Sequence, residues 1–176
     1  MILSDSELVE MLREPRTRRE GFAVLVKQYS EKLYWKVRRI VLSHEDANDV
    51  LQNVFIKVWS NLQNFQGKSS LSTWLYRIAV NESLDFLRKQ KLADKVSADE
   101  DVSVASRLMS DEYFDGDEVQ ARLQEAVARL PEVQRTVFNL KYFEEMKYSE
   151  MSQILNTSEG ALKASYHLAV KKITEY

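Results

Sequence analysis

Apolar positions recur along this chain at three- and four-residue steps, the period of helices that bury one face. The clearest run is Phe22, Leu25, Val26, Tyr29, Leu33, Val37 and Ile40, which predicts a helix over residues 18–41. After Ser43 the period continues in Ala47, Val50, Leu51, Val54, Val58 and Leu62, with Glu45 and Asp46 placed to favour the positive end of that helix. Its other face reads Asp49, Gln52, Asn53, Ile56 and Ser60, polar but hardly charged. A turn is predicted in "NFQGKSS", which holds the only glycine between positions 22 and 115. Beyond it Leu71, Trp74, Leu75, Ile78, Ala79, Phe86 and Leu87 define the inward side of another helix, which ends in Arg88, Lys89 and Lys91.

Helix starts are written in the polar residues. Ser4 with Glu7, and Thr17 with Glu20, have capping-box spacing, in which a hydroxyl accepts from a first-turn amide while the glutamate reaches back. A short helix and three long ones can bury a shared core. From Leu92 to Gly116 the period fails and Asp, Ser and Ala dominate, which predicts a flexible linker with a partial helix at 102–110. Periodicity returns at Val119, Leu123, Ala126, Val127 and Leu130, and Pro131 restarts a helix where its missing N–H costs nothing.

The last three pieces, "KYSEMSQIL", "NTS" and "EGALKASYHLAVKKI", read helix, short turn, helix. Met151, Ile154 and Leu155 face Leu162, Tyr166, Ala169 and Ile173 across the turn, and Thr157 or Ser158 caps the final helix. A second helix held this way can enter a major groove. An ordinary αα-hairpin has the same pattern, and this element alone leaves both readings open.

Composition narrows the classes. With Gly 4 and Pro 2 in 176 residues, and hydrophobic residues at 44 %, the chain is poor in breakers and able to build a helical core. Cys 0 excludes disulfides, thiolate metal sites and a cysteine nucleophile. The two histidines, His44 and His167, lie in different predicted domains, and no glycine-rich phosphate loop exists, so neither an enzyme nor a bound cofactor or metal is expected. The N-terminus lacks the pattern of a signal peptide, and no segment approaches the ~18 consecutive apolar residues of a membrane helix. A cytoplasmic protein without direct membrane insertion is expected. Lys+Arg against Asp+Glu count 15 to 11 over residues 1–91, 2 to 9 over 92–118 and 8 to 7 over 119–176. A mildly basic front and an acidic middle argue against a free-standing, high-affinity DNA binder.

Two stretches then carry a resemblance. "LPEVQRTVFNLKYFEEMKYSEMSQILNTSEGALKASYHLAVKKI" is similar to the region-four domain of bacterial sigma factors, and "DANDVLQNVFIKVW…NFQGKSSLSTWLYRIAVNESLDFLRKQ" resembles their region-two domain. The short gap between them is that of the extracytoplasmic-function (ECF) group of the sigma-70 family. The resemblance implies an all-α protein of two small helical domains: a region-two domain over 1–91, an acidic linker over 92–116 and a region-four domain over 117–176. It also implies a function, binding core RNA polymerase and directing promoter-specific initiation. The competing function is a helix-turn-helix regulator that binds duplex DNA without polymerase.

Site residues follow from the same resemblance. Asp46, Asp49, Gln52 and Asn53 match the family's surface for the clamp coiled coil of the polymerase's largest subunit; the family usually has glutamate where Asn53 stands. Asn64, Phe65, Gln66, Lys68 and Ser69, with Arg77 and Asn81 on the following helix, match the segment that takes the opened minus-ten strand. Trp74 is expected in the core. Lys163, Ala164, Ser165, His167, Leu168 and Lys171 stand where the family reads the minus-thirty-five duplex, usually with several arginines. Losing arginines removes contacts worth ~1–3 kcal/mol each, so affinity must come from a polymerase that holds both domains on one DNA. His167 is either a base reader or a solvated residue. The implied partners are promoter DNA, the polymerase clamp, the flap of its second subunit and an anti-sigma factor.

Overall fold

The computed structural model describes residues 2–65, 67, 69–93 and 116–176. The partial helix expected at 102–110, and nearly all of the acidic segment, lie outside the described residues. Every regular element among the described residues is helical. The chain divides into two compact units, Met1–Asp94 and Lys95–Tyr176.

In the first unit, α1 (Asp5–Arg13), α2 (Arg18–Val41), α3 (His44–Ser60) and α4 (Leu71–Ala93) surround one core, with α2 packed against the other three. The predicted stripe of α2 is realised through Leu25, Tyr29, Leu33, Val37 and Ile40, all buried, and α3 contributes Ala47, Val50, Val54 and Val58. Ser4 caps α1 by accepting from the Glu7 amide at 3.2 Å.

Thr17 behaves differently from its predicted capping box: its hydroxyl donates to the Met11 carbonyl at 2.9 Å, with no cap hydrogen bond to α2. The tight return from α1 to α2 leaves the last carbonyls of α1 as its nearest acceptors. Gly21 permits this return, because a β-carbon there would lie 2.8 Å from Met11 Cβ. Alanine is otherwise the better helix former by roughly 0.5–1 kcal/mol. Overpacking at a backbone-proximal contact outweighs that gain, so Gly21→Ala is expected to cost about 1–2 kcal/mol net. A lowered urea midpoint with an unchanged slope checks it.

A polar tie fastens α1 to the bundle. The Tyr29 hydroxyl donates to Asp5 Oδ1 at 2.7 Å and lies 2.8 Å from Ser72 Oγ on α4. Burial, then the bond to the Asp5 carboxylate, push this phenol up to about 12. Because the folded state holds the proton more tightly than the unfolded chain, the stabilisation is complete below pH ~10 and fades as pH climbs towards 12. Tyr29→Phe should therefore cost about 1–2 kcal/mol at neutral pH. That deficit should shrink above pH 10, as read from denaturation curves of both proteins at pH 8 and 11.

The corner between α2 and α3 is also polar. Arg38, 5 % exposed, donates through Nη1 to the Tyr34 hydroxyl at 2.7 Å and through Nε to the Leu42 carbonyl at 3.1 Å. The Tyr34 oxygen lies 2.6 Å from His44 Nδ1 at the start of α3, so a buried charge is satisfied while it sets the corner.

On α4 the buried stripe is Leu71, Leu75, Ala79, Val80, Leu84 and Leu87. The expectation of Trp74, Ile78 and Phe86 as inward residues is only half met, since all three are half-buried at its edges. Leu62 sits in a 3₁₀ turn, Leu62–Asn64, instead of in α3.

The second unit contains α5 (Glu118–Ala128), α6 (Glu132–Phe138) running into a π turn (Asn139–Phe143), α7 (Tyr148–Leu155) and α8 (Glu159–Glu175). Asp117 caps α5 by accepting from the Gln120 amide. Val119, expected in the apolar stripe, is 74 % exposed, because it falls in the first turn and the stripe begins at Ala121. Pro131 is the cap of α6 rather than its first residue. Val127, Leu130, Phe138 and Ala169 form a core, with Leu123, Phe143, Tyr166, Val170 and Ile173 around it.

Candidate functional site

Three surfaces carry the predicted site residues, one on the outer side of α3, one on the loop after α3 with the start of α4, and one on the outer side of the last helix. On α3, the Ser43 hydroxyl accepts from the Asp46 amide at 3.3 Å, so Asp46 sits in the capped first turn. Asp46 is half-buried, and its carboxyl is pushed up by burial, then by the neighbouring charges of Asp49 and Glu45. Asp49, Gln52 and Asn53 are exposed. The stripe continues into Ile56, 62 % exposed, and Trp59, 41 % exposed, whose ring meets Phe22 edge-on at 5.1 Å. Trp59 escaped the sequence reading, although its three-residue step from Ile56 was available. This surface has an acidic and amide-bearing end and an apolar end, a combination suited to a helical partner with cations and aliphatic side chains.

The second surface joins the loop after α3 to α4. Asn64 donates to Asn61 Oδ1 at 3.0 Å, and Asn61 in turn donates to the Lys57 carbonyl, so the loop's start is tied to the end of α3. Lys57 reaches α4 through an ion pair with Glu82. The Phe65 ring lies 5.0 Å from that of Trp74 at a 47° tilt, so Trp74 lines the loop instead of filling the core. Gly67 is exposed with φ +76°, a backbone region that suits glycine. Ser69 donates weakly to the Ser70 carbonyl at 3.4 Å, while Ser70 caps α4 by accepting from the Thr73 amide at 3.1 Å.

Trp74, Arg77 and Asn81 fall at helical steps on one side of α4, Arg77 half-buried and Asn81 exposed. Lys36 of α2 lies over the Tyr76 ring at 4.3 Å. Gln66 and Lys68, also predicted for this site, lie outside the described residues. The arrangement offers ring faces for stacking, amides for base edges and a guanidinium for a backbone.

The third surface is α8. Ser158, not Thr157, caps it by accepting from the Ala161 amide at 3.2 Å. Thr157 instead donates to the Leu155 carbonyl, and Ser152 donates to the Thr157 carbonyl at 2.7 Å, which closes the turn around Asn156 at φ 54°. Lys163, Ala164, His167, Leu168 and Lys171 are exposed on one stripe, opposite the buried Leu162 and Ala169. Ser165 stands at its flank and is half-buried.

Tyr148, the first residue of α7, went unnoticed in the sequence. Lys141 and Lys163 both lie over its ring, at 4.5 and 5.6 Å, so it links α7 to the start of α8. Nearby, burial and then the Tyr148 and Tyr142 hydroxyls push the Tyr166 phenol upwards. Among the described residues no cluster of three metal-ligating side chains occurs, and no helix is long and apolar enough to cross a membrane.

Comparison with known proteins matches residues 25–93 to Sigma-70 region 2 and residues 120–173 to Sigma-70, region 4. The chain is 32 % identical over 157 residues to the ECF RNA polymerase sigma factor SigW of Bacillus subtilis, covering 84 % of each chain. It is 30 % identical over 169 residues to the RNA polymerase sigma-H factor of Pseudomonas aeruginosa, covering 91 % of this chain and 86 % of that one. Its fold is similar to the sigma factor RpoE solved in complex with the anti-sigma factor NepR from Bartonella quintana, with TM-score 0.66, 19 % identity and coverage of 89 % and 96 %. CnrH, solved with the cytosolic domain of CnrY, gives TM-score 0.61 at 19 % identity, covering 97 % and 92 %. Two region matches in order along one chain, and relatives at 30 % identity or more over most of both partners, place this protein in the ECF group of the sigma-70 family, as an alternative sigma factor that directs transcription initiation.

Proposed function

We propose that the chain works as three weak grips on a much larger machine. Residues 1–91 act as the region-two domain, 92–116 as an acidic linker and 117–176 as the region-four domain. The α3 stripe, Asp46, Asp49, Gln52 and Asn53, engages the clamp coiled coil of the largest polymerase subunit, with Ile56 and Trp59 adding apolar area. Asn64, Phe65 and Ser69, with Arg77 and Asn81, take the opened minus-ten strand. Lys163, Ala164, His167, Leu168 and Lys171 meet the minus-thirty-five duplex, Ser165 from the side, while the region-four domain rests on the flap of the second subunit. The protein acts where polymerase acts, in the cytoplasm, and has no catalytic chemistry of its own.

The single observation that carries this reading is the charge of the α8 stripe, two lysines and a histidine with no arginine. So sparse a surface supplies little of the phosphate neutralisation that dominates free DNA affinity. Tethering of both domains by polymerase raises the effective concentration of each for its element. An anti-sigma partner belongs to the same proposal, supported by the fold shared with the sigma factor RpoE, solved in complex with the anti-sigma factor NepR.

The test is an electrophoretic shift on promoter duplexes recovered by run-off selection, with and without core polymerase. A shift at nanomolar protein in ordinary salt is expected only when core is present. Tight, specific binding by the chain alone would replace this reading with that of a conventional regulator.

A further inference from the structure

The turn from α1 to α2 reads "REPRTRR", residues 13–19, and gathers Arg13, Arg16, Arg18 and Arg19 against one acid, Glu14. In a chain of net charge −2 this is a pronounced local excess of cation. Arg18 is engaged internally: its Nε donates to the Leu12 carbonyl at 2.9 Å and its Nη2 to the Arg13 carbonyl at 3.4 Å, closing the C-terminal end of α1. Arg13, Arg16 and Arg19 are exposed, and none forms an ion pair with a carboxylate among the described residues.

Position gives this charge a purpose. Helix α1 packs against the 3₁₀ turn Leu62–Asn64, and Arg13 Nη2 stands 3.5 Å from the point a β-carbon on Gly67 would occupy. The basic turn therefore abuts the loop that presents Asn64, Phe65 and Ser69. Like charges crowded beside a polar loop are held there at an electrostatic cost that a bound anion relieves. A guanidinium's planar fork matches phosphate oxygens, and phosphate contacts fix register while leaving sequence to the bases.

We infer that Arg13, with Arg16 and Arg19, binds the phosphodiester backbone of the DNA strand that the adjoining loop takes up. This rests on the reading of that loop as the minus-ten surface. It assigns a sequence-independent share of the affinity to a turn outside the matched region, which begins at residue 25. An acidic protein surface would satisfy the same charge, but the position of Arg13 beside the loop at Gly67 favours nucleic acid.

The experiment uses full-length protein with core polymerase and a fluorescent promoter fragment from the run-off selection, premelted across the minus-ten element. Dissociation constants are measured from low to moderate KCl. Arg13→Gln should weaken binding at low salt and flatten the log–log salt dependence by about 0.7, the value for one single-strand phosphate contact, and the triple Gln variant by up to about 2. The loss should be equal on fragments with a substituted minus-ten base, and Arg13→Lys should retain most of the slope. A triple variant with wild-type affinity and slope overturns the inference while leaving the loop assignment intact. Weakened binding to core polymerase without DNA also overturns it, in favour of a protein contact. A wild-type holoenzyme indifferent to minus-ten sequence sinks the loop assignment, and the inference with it.

Discussion

Asp49→Lys should lose association with core polymerase by thirty-fold or more while the protein keeps its fold. Asp49 is exposed at mid-stripe on α3, and reversing a charge inside a desolvated, complementary contact costs about 2–5 kcal/mol. Folding should not suffer. A lysine at 49 lies one helical turn from Glu45 and three residues from Asp46, so it forms favourable i,i+4 and i,i+3 pairs where the native acid repels both. The half-buried Asp46 carboxyl should then fall back towards its ordinary value. Fluorescence anisotropy of labelled protein titrated with core enzyme measures the loss. Unchanged affinity would remove the α3 stripe from the polymerase contact.

Phe138→Ala should unfold the second unit while sparing the first. Phe138 is 3 % exposed and central to the core of that unit. Tyr142 and Tyr166 both stack with it, at 5.0 and 5.8 Å, and Phe143 meets it edge-on at 5.9 Å. Truncating a phenylalanine in such a setting costs ~3–5 kcal/mol. A core of this size rarely supplies more than about that. Hydrogen exchange of amides in 117–176 should rise towards the unfolded rate, with those of 5–90 unchanged. A variant still protected across α8 would mean that the aromatic stack is not what holds that helix.

How far such consequences could be read without coordinates depends on the kind of feature. Helical periodicity is a property of neighbours three and four residues apart, so α2, α3 and the α7–α8 pair were legible, although the α3 stripe was carried past the helix end to Leu62. The turn at Gly67 and the cap at Ser4 were legible for the same reason, since each uses local atoms. Trp74 was misplaced because a periodic stripe does not say where a core stops, and the loop residue Phe65 competes for its ring. Thr17 was misassigned because its partner, the Met11 carbonyl, becomes available only once the chain has turned back. Trp59 and Tyr148 were missed because both read as ordinary apolar or boundary residues until their exposed surroundings are known.

What the amino-acid order determined by itself is the all-helical character, the two-part organisation and the residues each helix can spare for partners, because these follow from spacing, charge and breaker content. What only the tertiary structure decided is which distant segments meet. Asp5 joins Tyr29 and Ser72, and Arg13 comes beside Gly67. Those encounters depend on how helices cross, a matter of side-chain volume and solvent exclusion summed over the whole core, and no local pattern encodes that sum.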